Sequence, residues 1–279
     1  METNTTELPL TLEERWQRAT LADNFLFYKI MTENPAVCRA LLEILLGIRI
    51  ERLEQPVAEK NVKVDYDAKG IRFDVYAKDS GRCFDIEMQT TTHRNLAKRA
   101  RYYQGLIDVD TLRAGETYSA LRDSYVIFLC LGDPIGRGLP AYTFESLCRE
   151  DKEIALDDRA YKVFFNAEKY AIMGSEGQRT FFKFLCGGGS ESAFTERLAG
   201  LMERAKHNAQ WRQQFMTWEM ALKEEGEEKW QEGAQQTKLE TARRMLEASI
   251  GTLEQIADIT ALPIEQVEQL RRELSAVKA

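Results

Sequence analysis

Asp74, Glu87 and Gln89 stand on the two arms of one alternating stretch, IRFDVYAKDSGRCFDIEMQ, running from Ile71 to Gln89. Ile71, Phe73, Val75 and Ala77 alternate with Arg72, Asp74, Tyr76 and Lys78. After Asp79-Ser80-Gly81-Arg82, the apolar Phe84, Ile86 and Met88 alternate with Asp85, Glu87 and Gln89. Period-two patterning on both sides of a Ser-Gly turn predicts a β-hairpin with one apolar and one polar face. A two-residue loop at Ser80-Gly81 pairs Asp79 with Arg82, Ala77 with Phe84, Val75 with Ile86 and Phe73 with Met88. The same register sets Asp74 opposite Glu87, with Gln89 further along that face. Like charges opposed on neighbouring strands are destabilising, so a positive partner is expected there. One candidate is a divalent cation held by carboxylate and carbonyl oxygens, with water on that cation as nucleophile. The other is solvent together with Arg72 and Lys63.

The neighbouring segments supply what would hold this hairpin. Val62 to Asp67 alternates as a further strand, and a tight turn at Ala68-Lys69 aligns Val62 with Val75, Val64 with Phe73 and Lys63 beside Asp74. The three strands then agree on their faces, which predicts a meander. Upstream, residues 11–50 read as two helices: Leu12, Trp16 and Ala19 form one apolar stripe. Val37, Leu41, Leu42, Ile44 and Leu45 form the other, between Asn34-Pro35 and Gly47. Asp23, Glu33 and Glu43 lie here and could lend a carboxylate, although most acids on helices are simply solvated.

Downstream of Gln89 a helix is expected, with Leu96, Ala100, Tyr103 and Ile107 on its packing face. Arg94, Lys98 and Arg101 form a basic stripe on another face, suited to DNA phosphates if it stands near the carboxylates and otherwise a solvated face. Ser124 to Leu131 is continuously apolar, as in a central strand buried on both faces, and would pair with the 83–88 strand through the helix as crossover. Gly132 to Gly138 lacks the Gly-Lys-Ser/Thr ending of a phosphate loop and reads as a turn. Tyr142 to Phe144 and Tyr161 to Phe165 are further strands, and Gln178 to Leu185 a closing helix. The glycine run before Ser190 marks a boundary, giving domains at 1–189 and 190–279.

Beyond it the chain is helical and charged. Trp211, Phe215, Trp218 and Leu222 form a stripe that would dock either on the first domain or on a second copy, as a homodimer. Gly226 and Gly233 predict a frayed helix or hinge. Thr252 and Gln255 form a capping box, and Leu262-Pro263 breaks a terminal helix pair. Glu265 and Glu268 sit where a base-reading helix would carry Arg, Asn or Gln, which favours packing or protein contact over base readout.

Composition narrows the chemistry. The 279 residues carry a formal charge of −7, which argues against general polyanion binding and confines any nucleic-acid contact to a local basic patch. Five cysteines without a Cys-x-x-Cys spacing fit reduced core thiols, and hence a reducing cytoplasm. With only His93 and His207, a His-rich zinc site or a His-based triad is excluded, so the chemistry must run on carboxylates. No stretch approaches a membrane-spanning length, and no membrane association is expected.

Taken together, Arg72-Phe73-Asp74-Val75, Asp85-Ile86-Glu87-Met88-Gln89, Lys98-Arg99-Ala100-Arg101-Tyr102-Tyr103-Gln104 and the Tyr125 to Leu131 strand resemble the Rpn-type recombination-promoting nucleases. These are transposase-like members of the PD-(D/E)XK nuclease superfamily, and the resemblance extends over roughly residues 20–170. It implies an α/β fold: a restriction-endonuclease-like core of mixed central sheet flanked by helices, plus an all-helical C-terminal tail. It further implies a DNA endonuclease of little sequence preference, acting in recombination, mobile-element biology or defence. Asp74 and Glu87 would hold Mg²⁺, with Mn²⁺ or Ca²⁺ able to substitute in binding, the Met88 backbone carbonyl as a further ligand and Glu43 as a match for the auxiliary helix carboxylate. Gln89 occupies the position usually filled by lysine. A lysine there steadies developing negative charge whereas glutamine only hydrogen-bonds, so Lys63 or Lys98 would have to supply that charge. An inactive nuclease-fold module that binds DNA or protein is the alternative.

Overall fold

The computed structural model describes residues 10–62, 71–91 and 95–277. The chain divides into two compact units, Met1–Gln213 and Gln214–Ala279, and the glycine run 187–189 lies inside the first.

The first unit is built on a six-stranded mixed sheet, in agreement with the expected fold class. In chain order the strands are β1 (Val57–Val62), β2 (Ile71–Lys78), β3 (Arg82–Gln89), β4 (Asp123–Cys130), β5 (Ala141–Phe144) and β6 (Ala160–Asn166). Their spatial order is β1-β2-β3-β4-β6-β5. β1–β2, β2–β3 and β5–β6 run antiparallel, and β3–β4 and β4–β6 parallel. Helix α4 (Leu96–Thr111) makes the crossover from β3 to β4, as the apolar run of β4 led us to expect.

Both faces of the sheet are covered. Phe128 and Phe164 belong to a core with Leu96, Ala100, Tyr103 and Ile107 of α4, whereas Phe165 meets Phe182 of α5 (Glu176–Leu185) at 5.0 Å between ring centres. Successive residues of a strand point to opposite faces, so α4 and α5 clothe opposite sides. The polar face expected for β3 is therefore not a solvent face: Cys83 through Gln89 are all buried.

Three helices, not two, precede the sheet: α1 (Leu12–Arg18), α2 (Asn24–Glu33) and α3 (Pro35–Leu46). Thr11 and Glu14 form a capping box on α1. Asp23 caps α2 by accepting from Leu26 N–H, which is why a new helix starts at Asn24, five residues after Ala19. Pro35 opens α3, and Gly47, at φ +65°, ends it in the left-handed conformation that glycine adopts at no steric cost.

α6 (Ala193–Lys206) completes this unit. Leu198 and Ala205 are buried, and Trp16 Nε1 donates to Lys206 O at 3.3 Å. A chain ended at Gly189 forfeits these contacts, and is expected to melt roughly 6–12 °C below one ended at Gln213. Thermal unfolding followed by circular dichroism checks this; equal midpoints would show that α6 contributes nothing. At the start of α7 (Ala209–Glu247) Lys29 lies over the Trp211 ring at 5.8 Å and Arg212 pairs with Glu13, contacts within the first unit, to which both Trp211 and Arg212 belong.

The hinge expected at Gly226 and Gly233 is absent: α7 runs through both. Each glycine costs a helix only about 1 kcal/mol, which the surrounding Glu, Lys, Gln and Ala and the Lys223–Glu227 pair offset. In the second unit α8 (Leu253–Thr260) has its Thr252–Gln255 capping box, and α9 (Ile264–Val277) follows a turn with Ala261 at φ +50°. Ile256, Leu262, Val267 and Leu270 close with Ala242 into a small core, the packing role expected for this pair.

Candidate active site

The hairpin forms as expected near its turn. Asp79 N–H donates to Arg82 O at 3.0 Å, and Ala77 pairs with Phe84 and Val75 with Ile86. β1 differs. Val62 pairs with Ile71 and Lys60 with Phe73, a shift of four residues from the expected alignment of Val62 with Val75. An even shift preserves which side chains share a face, so alternation could not distinguish the two registers. The expected strand beyond Val62, its Ala68-Lys69 turn and Lys63 fall outside the described residues.

Beyond Val75 and Ile86 the β2–β3 ladder gives way to a fork bridged by side chains. Asp74 N–H donates to Glu87 Oε1 at 3.0 Å, and Met88 N–H donates to Asp74 Oδ2 at 3.1 Å. Each carboxylate thus accepts a backbone N–H from the opposite strand, which locks the two side by side. The distortion turns Phe73 onto the α4 side, edge-on to Tyr103 at 5.4 Å between ring centres, instead of leaving it opposite Met88.

The positive group at this fork comes from α4. Arg99 Nη2 donates to Glu87 Oε2, Nη1 to Gln89 Oε1 at 3.0 Å and Nε to Tyr103 Oη at 2.8 Å. Gln89 Nε2 in turn donates to Thr91 O at 2.6 Å. Arg72, one of the relaxing partners considered above, pairs instead with Glu59 at 3.4 Å. Sequence reasoning missed Arg99 because charge was assigned to the solvated stripe. The signal was its position three residues after Leu96 and four before Tyr103, on the packing face itself.

Burial dominates the electrostatics. Asp74 is pushed up to about 6 and Glu87 to about 8, because both lose hydration inside the fold; for Glu87 the nearby Asp74 adds to the effect and Arg99 opposes it. Asp85 is a second residue the sequence did not single out. It lies on the same face of β3, fully buried, and burial, followed by the charges of Glu87 and Asp74 and a hydrogen bond with Glu87, lifts it well above the ordinary carboxylate range. Among the described residues Arg99 bonds one of these three carboxyls, Glu87, and Arg72 acts on Asp74 only from a distance, so the fork is rich in acid relative to base.

The remaining candidates lie apart from these contacts. Lys98 and Arg101 are exposed on α4, while Arg94 and His93 are outside the described residues. Glu43 serves the fold: its Oε1 accepts from Ile50 N–H at 2.9 Å. Gln89, Thr90, Thr91 and Leu96 line a small cavity with Cys130, Gly132, Asp133 and Pro134, so the end of β3 opens toward solvent beside the fork. Among the described residues no three His, Cys, Asp or Glu side chains group to hold a metal ion. Two carboxylates with carbonyl and water oxygens suffice for Mg²⁺, which keeps several waters, and the hard-oxygen donors at the fork fit such a cation. Among the same residues no helix is long and apolar enough to cross a membrane.

Residues 24–134 match the family described as PD-(D/E)XK nuclease family transposase, a span that includes both carboxylates, Gln89 and Arg99. Neither the curated proteins nor the solved structures supply a match to this chain.

Proposed function

We propose that the protein is a divalent-metal-dependent DNA endonuclease of low sequence specificity, a reading supported by the match of residues 24–134 to the family described as PD-(D/E)XK nuclease family transposase. It would act on DNA in recombination, mobile-element movement or defence. The observation that carries the reading is the fork: two buried carboxylates pinned side by side by each other's backbone and short of positive charge. Asp74 and Glu87, with the Met88 carbonyl, would hold Mg²⁺ or Mn²⁺. The bound cation supplies a Lewis acid and a water nucleophile active near neutral pH.

The chain's own groups do the rest. Met88 N–H and Asp74 N–H fix the two carboxylates, so no side-chain entropy is lost when the cation arrives. Lys98 and Arg101, exposed on α4, would contact phosphates outside the scissile one, as would Lys63 and Arg94, which gives position without sequence information. The helical tail would lie outside the chemistry and offer a surface for a second copy.

Purified protein incubated with supercoiled, linear and single-stranded DNA is expected to cut when Mg²⁺ or Mn²⁺ is present and to stop in EDTA. Cutting that persists in EDTA, or trace activity shared equally with Asp74→Ala, would overturn the proposal. The raised carboxyls add a second expectation. Since Asp74 and Glu87 must be ionised to bind a cation, Mn²⁺ affinity should rise between about pH 6 and pH 8, with protons released on binding. Calorimetry in two buffers of different ionisation enthalpy measures that release; affinity flat across this window would contradict it.

A further inference from the structure

Gln89 is neutral, and among the described residues Arg99 is the cation hydrogen-bonded to both Glu87 and Gln89. Its guanidinium is held on three sides. Nη2 bonds Glu87, Nη1 bonds Gln89 and Nε bonds Tyr103 Oη, and the group lies 5.0 Å from the Tyr103 ring centre and 5.4 Å from that of Phe128. A guanidinium carries five N–H donors in one rigid plane, so three committed bonds fix the directions of the other two. The side chain is 33% exposed while its partner Glu87 is fully buried, so Arg99 spans from the buried carboxylate to the surface.

We infer that Arg99 is the built-in cation of this centre: a positioning residue that clamps Glu87 and Gln89 and turns its remaining donors toward the anionic oxygens of the DNA phosphate being cut. The inference rests on the nuclease reading, since it gives Arg99 a phosphate to hold. It divides the labour at β3. Glu87 serves the metal, Gln89 is an uncharged brace, and the charge that steadies the phosphate arrives from α4. Such preorganised donors act most strongly where charge develops during reaction, so the effect belongs to kcat more than to DNA half-saturation. Its three committed bonds also separate Arg99 from Lys98 and Arg101, which lie exposed on the same helix.

Relocating the charge tests this. In the full-length protein, Arg99→Gln is expected to lower kcat about 100-fold with DNA half-saturation changed much less. Arg99→Lys, which keeps a charge beside Glu87 but loses the fork, should fall between Arg99→Gln and wild type. Adding Gln89→Lys to Arg99→Gln should restore cutting at least about tenfold, because the cation returns to the same face two residues from Glu87. Gln89→Lys alone should slow the enzyme, since it sets lysine against the guanidinium. The metal-free thermal midpoint gives a readout independent of cutting: Arg99→Gln lowers it by leaving Glu87 without its partner, and Gln89→Lys recovers part of the loss.

Arg99→Gln cutting within twofold of wild type, or a double variant no faster than Arg99→Gln, overturns the assignment of Arg99. Should Arg99→Gln fail to fold, Arg99→Lys decides: an unchanged kcat overturns the assignment, and a reduced kcat at unchanged DNA half-saturation upholds it. Wild type that cuts no DNA with Mg²⁺ or Mn²⁺ overturns the nuclease reading itself, a result distinct from wild-type cutting without rescue.

Discussion

Alanine at Asp74 or Glu87 is expected to slow metal-dependent DNA cleavage on the order of a thousandfold or more, about 4 kcal/mol of transition-state stabilisation. The two variants should part company in stability. Asp74→Ala removes a buried carboxyl whose charge raises the pKa of both Glu87 and Asp85, and its cost is a Met88 N–H left without its acceptor. That loss is worth about 1–3 kcal/mol, and relief of the crowded charge offsets it. The metal-free Asp74→Ala protein is therefore expected to melt close to wild type. Glu87→Ala deprives Arg99 of its charge partner and Asp74 N–H of its acceptor at once, and leaves a cavity on a face packed by α4. It should melt clearly lower. Cleavage rates in Mg²⁺ set beside thermal midpoints in EDTA test both statements. An Asp74→Ala protein that is folded and still cuts at the wild-type rate would remove Asp74 from the site.

Much of this centre was legible because a hairpin with a tight turn leaves little freedom of register. The positions of Asp79 and Arg82 about Ser80-Gly81 fix the pairing of Val75 with Ile86, and so bring Asp74 and Glu87 together whatever surrounds them. What local pattern could not supply was anything set by tertiary packing. Alternation assigned Asp85 and Glu87 to a polar face, and polar was read as solvated, yet α4 covers that face and buries both. Arg99 was hidden by the same habit: a basic residue inside a basic run reads as surface, although its helical phase placed it with Leu96 and Tyr103. The β1 register was undetermined for a different reason, since a four-residue slip leaves every side chain on its own face. The second helix went unread because Asp23, weighed as a possible ligand, is its cap. At Gly226 and Gly233 local preference was read correctly but given too much weight against its helix-forming neighbours.

Asp85→Asn is expected to stabilise the metal-free protein at neutral and alkaline pH, and to leave it equal or slightly weaker near pH 4. The carboxyl is fully buried beside Glu87 and Asp74, so the folded chain holds it protonated while the unfolded chain ionises it near pH 4. A raised carboxyl binds its proton in the folded state after the unfolded state has released it. Below the unfolded pKa the two states are alike in charge and no penalty exists. As pH rises from there toward the folded pKa, stability falls by about 1.4 kcal/mol per pH unit for this group. Asparagine has nearly the same shape and no charge to lose, so the difference in thermal midpoint between Asp85→Asn and wild type should be near zero at pH 4 and grow as the pH rises above it. Midpoints in EDTA at unit pH steps measure it. A difference that stays constant across that range would mean Asp85 is ionised and partnered in the fold. Saturating Mg²⁺ should shrink the gap, because a cation at the neighbouring carboxylates offsets the charge that holds Asp85 protonated. An aspartate that costs stability at neutral pH two residues from Glu87 is a burden of the kind that collects at functional sites, and it stands beside the proposed one. If Asp85→Asn proves both more stable and slower to cut, the acid serves the reaction; if it cuts as fast as wild type, its only measured effect is the stability it removes.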